Sequence, residues 1–287
     1  MNVLAAAPLL TIHRSRKLIP EFDLYRPKTA VEAVAMKAAL GTGAVFMAGG
    51  VDVVNRMKFG VPVVAVIHLG GIPGLDGIIE DAGGLRLGAL ATHDQMATSR
   101  VVARHHPALA ETWGDVANIR VRCKGTLGGN IMSGDPAYDF ALTAIAANAR
   151  LEFVESNGIR VVAAAGPDPI TSYGLLAAII MPPAATLRLS FDRSLRPVVS
   201  LALGLDFVGK RIVGGRVAIG CAFAKAIAVR LPVKDLLLPS EMARRADTLA
   251  CEVAATLPKP IGDLVAGSGY RRRMIEVLLR RHLAAVS

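Results

Sequence analysis

The stretch AVFMAGGVDVVNRM at residues 44–57 decides the fold. Ala44 to Ala48 reads as a short apolar strand that runs straight into Gly49-Gly50. After that pair, Val51 to Met57 has the spacing of a short helix, and Val61 to Leu69 is a fully apolar strand. Strand, glycine turn, helix and strand in this order make a βαβ-like unit with its glycines at the strand-to-helix corner. Upstream, Thr29 stands three residues before Glu32 and opens an apolar-periodic run to Leu40 and Gly41, the pattern of a capped helix with a glycine stop.

Downstream, two strands between Gly77 and Leu90 flank Ala82-Gly83-Gly84, a hairpin signal. Thr92 with Gln95 forms a second capping box, and helical material follows to Ala117 with breaks at Ser99 and Pro107. The stretch from Val121 to Pro136 reads as the least regular, because Gly125, Gly128, Gly129 and Gly134 crowd into it. Ala137 to Ala149 is an apolar helix with Asp139 in its first turn, and strands follow at Leu151–Glu155, Ile159–Ala164 and Leu175–Met181. From about Phe191 the pattern changes to strands at Val198–Val208 and Ile212–Ile219, then helical spacing at Ser240–Leu257 and Tyr270–Leu283. In the last helix Met274, Val277, Leu278 and Leu283 share one face and arginines the other. The expected class is α+β, with one domain over 1–185, split into two subdomains near 75, and a small antiparallel sheet backed by helices over 186–287.

Composition narrows the function. Of 287 residues 53% are hydrophobic and 20% charged, enough apolar surface to offset the ordering entropy that leaves disordered chains unfolded. Cys123, Cys221 and Cys251 lie far apart with no C-x-x-C pair, which argues against a zinc site or iron–sulfur cluster held by this chain alone and suits a reducing compartment. A mean hydropathy of +0.46 raises the question of a membrane span, but the longest uncharged run, Pro169 to Leu187, is broken by Pro182 and Pro183. The apolar run Leu4 to Leu10 is followed, not preceded, by Arg14, Arg16 and Lys17, the reverse of signal-peptide order, so a cytoplasmic location is expected. The net charge of +10 is scattered, and aromatic residues are 5%, too few for a base-stacking platform, so no nucleic-acid partner is expected.

Two glycine corners carry the chemistry. At Ala48-Gly49-Gly50-Val51-Asp52, backbone N–H groups at a helix start would face a phosphate, and the missing Cβ atoms would let it approach; a plain tight turn is the alternative. At Gly125-Thr126-Leu127-Gly128-Gly129-Asn130, with Ser133, Asp135 and Asp139 downstream, hydroxyl and N–H donors suit a diphosphate, while amide and carboxylate acceptors suit a polyol. The alternative there is a glycine-rich loop capping the helix at Ala137, with Asp139 favoured by the helix dipole. Neither corner fits G-x-G-x-x-G, and no G-x-x-x-x-G-K-[ST] occurs.

The ordered set AGGVDVV at 48–54, KGTLGGNIMSGDPAYDF at 124–140, GLLAAIIMP at 174–182 and YRRRMIEVLLRRHL at 270–283 resembles the FAD-binding medium subunit of molybdenum hydroxylases. That family includes carbon monoxide dehydrogenase, xanthine dehydrogenase and nicotine dehydrogenase, and the similarity runs nearly the whole chain beyond about residue 20. The resemblance implies a two-part, PCMH-like FAD-binding α/β domain. It implies that Met47, Ala48, Gly49, Gly50, Val51 and Asp52 wrap the FAD pyrophosphate, with Thr126, Leu127, Gly128, Gly129 and Asn130 on the opposite side. Ser133 would lie along the diphosphate and ribityl chain and Asp139 would accept from ribityl hydroxyls. Leu176, or Leu175 one residue away, would pack on the isoalloxazine, with Thr92 near the flavin and Arg193 as the basic residue beside it. Val51 stands where many relatives have Thr, Cys123 where the pattern has Asn, and 191–200 is shorter than usual.

The implied function is an electron-transfer flavoprotein subunit. A molybdenum cofactor on a large partner and [2Fe-2S] clusters on a small partner would feed FAD here, in a dimer of heterotrimers. The sequence offers no acid, base or nucleophile constellation of its own, consistent with substrate chemistry on another chain. Two other readings stay open: a self-contained flavin oxidoreductase of the wider FAD fold, and a non-catalytic basic scaffold or nucleic-acid binder.

Overall fold

The computed structural model describes residues 19–81, 84–165, 174–193 and 198–286. The decisive stretch folds as read. Strand β1 (Asp23–Tyr25) is followed by helix α1 (Ala30–Leu40), strand β2 (Ala44–Met47), helix α2 (Val51–Lys58) and strand β3 (Ala65–His68), and the strands form a parallel sheet in the order β1-β3-β2. Thr29 caps α1 by accepting from Glu32 N at 3.1 Å, and Gly41 ends it with φ +68°. Strand β3 starts four residues later than expected. Pro62 has no N–H to give the ladder, so pairing begins where Ala65, Val66 and Ile67 are buried between two neighbours. β1 is three residues long and was not legible as a strand.

The second sheet is antiparallel, in the order β4-β5-β8-β6-β7, from β4 (Ile78–Asp81), β5 (Gly84–Gly88), β6 (Arg150–Glu155), β7 (Gly158–Ala163) and β8 (Leu175–Met181). Residues 82–83 of the expected hairpin turn, and 169–173 of the long uncharged run, lie outside the described residues. Six helices cross between β5 and β6: α3 (His93–Thr98), α4 (Arg100–His105), α5 (Pro107–Gly114), α6 (Ile119–Arg122), α7 (Leu127–Met132) and α8 (Asp139–Ala146). They bury Trp113 and Phe140, whose rings meet edge to face at 5.5 Å, against Leu85, Leu87, Leu151 and Phe153.

One expectation is corrected here. Residues 121–136 are not an irregular loop, because α6 and α7 fall within or beside them. Asn118 and Thr126 each supply a side-chain cap, to Val121 N and Gly129 N at 3.1 Å, and the missing Cβ of Gly128 lets α7 lie on Ala89. Local caps and close packing outweigh the poor helix propensity of glycine.

The third sheet, in the order β12-β11-β10-β9, is antiparallel and contains β9 (Leu187–Arg193), β10 (Ser200–Val208), β11 (Arg211–Gly220) and β12 (Ile227–Arg230). Helices α9 (Pro239–Arg244), α10 (Ala246–Thr256) and α11 (Ser268–Ala284) back it. In α11 the buried face is Ile275, Leu278, Leu279 and Leu283, rotated from the expected one, so Val277 is only half-buried. Arg271, expected among the solvated arginines, is 3% exposed. Its guanidinium donates to the carbonyls of Val198 and Cys221 at 2.6 and 2.8 Å and to Asp263 Oδ2 at 2.6 Å, which satisfies a charge that burial would otherwise penalise. Leu142 and Ala146 of α8 pack on Ala202 and Ala218, so the helix that starts near the second glycine corner also seats the third sheet. Among the described residues no helix is long and apolar enough to cross a membrane.

Candidate functional site

The two glycine corners lie against each other. A Cβ built on Gly49 would sit 1.5 Å from the carbonyl oxygen of Lys124, so the first corner is in backbone contact with the start of the second. The Tyr138 hydroxyl donates to Asp52 Oδ1 at 3.4 Å and spans the same gap. Between the corners runs a cleft formed by two adjoining cavities of about 420 and 360 Å³, which share Val45, Phe46, Ala48, Gly129 and Met132 as wall.

Each corner has a distinct local construction. Gly50 takes φ +76° and opens α2 without a side-chain cap, so among the described residues no side chain accepts from the first-turn N–H groups of Val51, Asp52 and Val53, and all three residues line the larger cavity. At the second corner Thr126 Oγ1 already accepts from Gly129 N, leaving the hydroxyl hydrogen free to donate. A Cβ on Gly128 would lie 2.7 Å from Ala89 Cβ, whereas one on Gly129 would meet only Thr126 Oγ1, at 2.9 Å, and otherwise open into the cleft. Asn130 Oδ1 accepts from Ala141 N at 3.1 Å and ties the corner to the first turn of α8.

Of the residues singled out in the sequence, Ala48, Gly49, Gly50, Val51, Asp52, Thr126, Gly129, Asn130, Ser133 and Asp139 line the larger cavity. Gly128, Leu175 and Leu176 line the smaller one, together with Ala48 and Gly129. The backbone thus brings neighbouring residues of β8 to one wall, and both leucines of the uncertain register stand on it. Among the singled-out residues whose side chains are described, Met47, Thr92, Leu127 and Asp135 stand on neither wall. Met47 packs toward Met57, Val63 and Val66, Leu127 is fully buried in the main core, and Thr92 uses its hydroxyl to cap α3 by accepting from Gln95 N. Arg193 closes β9 opposite Ser200, and its side chain lies outside the described residues.

The sequence reading missed several wall residues. Arg56 stands on the larger cavity, one helical turn beyond Asp52 and 3.9 Å from its carboxylate; i,i+4 spacing on α2 was the available signal. Tyr138 and His93 also line it. Burial, with the carboxylates of Asp52 and Asp135 nearby, pushes the Tyr138 phenol up to about 12, so it stays a donor. His93 is 4% exposed, and burial pushes its imidazole down to about 4. Its Nδ1 accepts from Trp113 Nε1 at 3.1 Å, so the neutral ring carries its hydrogen on Nε2. Nothing in the local sequence signals this, because Trp113 is 20 residues away. Lys37 lines the smaller cavity while donating to the carbonyls of Gly41 and Ala44 at 2.9 and 2.6 Å, and burial lowers its pKa.

The cleft therefore has a polar half, with N–H, hydroxyl, amide, carboxylate and guanidinium groups, and an apolar half, with Phe46, Leu69, Leu90, Leu175 and Leu176. A cleft with one polar and one apolar half suits a long ligand that is polar at one end and apolar at the other. Residues 20–173 match the family model described as the FAD binding domain in molybdopterin dehydrogenase, and the chain belongs to that family. It is 30% identical over 251 residues to the nicotine 6-hydroxylase medium subunit of Paenarthrobacter nicotinovorans, covering 82% of this chain and 87% of that protein. It is 28% identical to the carbon monoxide dehydrogenase medium chain of Afipia carboxidovorans, over 92% of this chain and 96% of the relative. A solved carbon monoxide dehydrogenase from Hydrogenophaga pseudoflava, a form lacking the Mo-pyranopterin moiety of its molybdenum cofactor, superposes with a TM-score of 0.81 at 25% identity, covering 94% of this chain and 98% of the other.

Proposed function

We propose that this chain is the FAD-holding medium subunit of a heterotrimeric molybdenum hydroxylase or dehydrogenase. When bound, FAD supplies a carrier between the iron–sulfur clusters of a small partner and an external acceptor, with substrate oxidised at the molybdenum cofactor of a large partner. The observation that carries the reading is the cleft shared by two glycine corners more than seventy residues apart, walled by backbone at positions where a side chain would intrude.

The residues present fit that cofactor. The uncapped first turn of α2 and Arg56 offer N–H donors and positive charge to a diphosphate. Thr126 and Ser133 offer hydroxyls, and Asn130 and Asp139 stand where a polyol chain would be gripped. Leu175 and Leu176 offer an apolar surface to a flat ring. Under this reading residues 1–185 hold the cofactor in two subdomains divided near 75, residues 186–287 form a second domain, and the complex is a cytoplasmic dimer of heterotrimers.

Co-expression with the large and small subunits tests the reading. The purified complex should show flavin absorbance that follows this chain in near-stoichiometric amount. A complex without flavin in any preparation overturns the reading. A yellow chain that oxidises substrate with no molybdenum-containing partner would favour a self-contained flavin enzyme instead.

A further inference from the structure

A pocket of about 320 Å³ lies where the second sheet meets the third, and among the described residues it shares no wall with the cleft. Asn148, Ala163 and Ala165 line it from one side, and Arg216 and Arg230 from the other. Arg216 on β11 pairs directly with Arg230 on β12 and with Gly204 on β10, so the two cations project from the same face of the sheet. Like charges directly opposite each other destabilise a strand pair.

The burial makes the pairing harder to explain as a solvated surface. Arg216 is 9% exposed, yet among the described residues no hydrogen bond or ion pair reaches its guanidinium. Burial and Arg230 both work against its charge, and Asp206 favours it from beyond ion-pair distance without lining the pocket. The carbonyl of Ala146, at the end of α8, stands over Gly204 on this face, and a helix C-terminus contributes only about half a negative charge. Even counting Asp206 in full, the charge that the described residues place here stays positive by about half a unit. Among the described residues no counter-charge reaches this guanidinium, and its nitrogens are not fully enclosed but face the pocket, where an anion can meet them.

We propose that this pocket binds an oxyanion of the phosphate type, held between the guanidinium groups of Arg216 and Arg230. Guanidinium forks match tetrahedral and planar oxyanions with two N–H donors each. Asn148 stands at the pocket with its backbone fixed at φ +52° by donation to Ile145 O. The same chemistry has two sources: free phosphate, or a carboxylate presented by an adjoining subunit.

Titration of the full-length chain with inorganic phosphate tests this, by calorimetry and by phosphorus linewidth, at an ionic strength held constant with chloride. Saturable binding is expected, weakened roughly tenfold or more in Arg230→Ala, whose exposed side chain the fold does not need, and lost in Arg216→Met. Should Arg216→Met fail to fold, Arg230→Ala decides alone. No saturable binding to the wild-type chain, or unchanged affinity in Arg230→Ala, overturns the proposal. Repeating the titration on the assembled complex separates the sources. Binding that persists assigns the pocket to free phosphate, and binding present in the chain but gone in the complex places the two arginines under an adjoining subunit, where a carboxylate of that subunit would be the anion; both uphold an oxyanion site.

Discussion

The corner at 48–52 and the corner at 124–133 meet around one cleft, but they use their glycine pairs differently. In the first, Gly49 is required for packing, because its Cα faces a backbone carbonyl, and Gly50 is required for conformation, with φ +76°. In the second, Gly128 is the packing residue, seated on Ala89, and Gly129 has ordinary helical geometry and open space toward the cleft. The first corner leaves its helix start uncapped, and the second closes its own with Thr126. A glycine pair in a sequence is therefore not one signal but two, and only one glycine of the four, Gly129, stands where it does for the benefit of the space beside it.

The largest effect is expected from Gly49→Ala. The added carbon would lie 1.5 Å from Lys124 O, and a backbone atom cannot swing aside as a side chain can. The corners must separate, so the loss should exceed ordinary overpacking and reach about 4 kcal/mol or more. Urea unfolding of the purified variant measures it; wild-type stability would show that the corners do not touch.

Acid tests the floor of the second corner. His93 is neutral in the fold, with a pKa of about 4 against 6.5 when unfolded, so between these values the unfolded chain binds the extra proton. This contribution to stability is complete above pH 6.5 and falls as the pH drops toward 4, by on the order of 3 kcal/mol. Unfolding free energies of wild type and His93→Gln across that range should converge as the pH falls; parallel curves would show that the ring is solvated. A smaller loss, about 1 kcal/mol, is expected for Thr126→Val, which keeps the shape and removes the cap on Gly129 N. Thermal unfolding should register it as a lowered midpoint, and an unchanged midpoint would mean that α7 does not depend on its cap.

Much of this comparison was legible before any coordinates. The helix after Thr29, the βαβ unit and the hairpins follow from caps, glycine stops and apolar runs, which act within a few residues of themselves. Ten of the proposed contact residues stand on the larger cavity, because the corners that carry them are local motifs. What was not legible depends on distant partners. The helical turns at 119–122 and 127–132 were hidden by glycines whose role is to approach Ala89 and His93, about 35 residues upstream. Arg271 resembled a surface arginine until Val198, Cys221 and Asp263 surrounded it. Met47, Leu127 and Thr92 were placed in the site by their neighbours in sequence, but strand alternation, the core and a helix cap claim their side chains.

Gly129→Val separates packing from occupancy, and its effect on stability should be the smallest of the set. Residue 129 is helical, so an L side chain meets no backbone penalty, and valine is a slightly better helix former than glycine. The only close atom is Thr126 Oγ1 at 2.9 Å, and its displacement costs no more than the cap it forms, about 1 kcal/mol. The branched side chain would nevertheless project where the two cavities join, since Gly129 is wall to both. Flavin content should therefore fall sharply while thermal stability and assembly with partner subunits stay close to wild type. Gly128→Val is the comparison: 2.7 Å from Ala89 Cβ, it should lower stability by about 1–3 kcal/mol, so its flavin loss should come with a lowered unfolding midpoint. If Gly129→Val keeps full flavin, the cofactor does not pass between the corners, and their contact through Gly49 is packing alone.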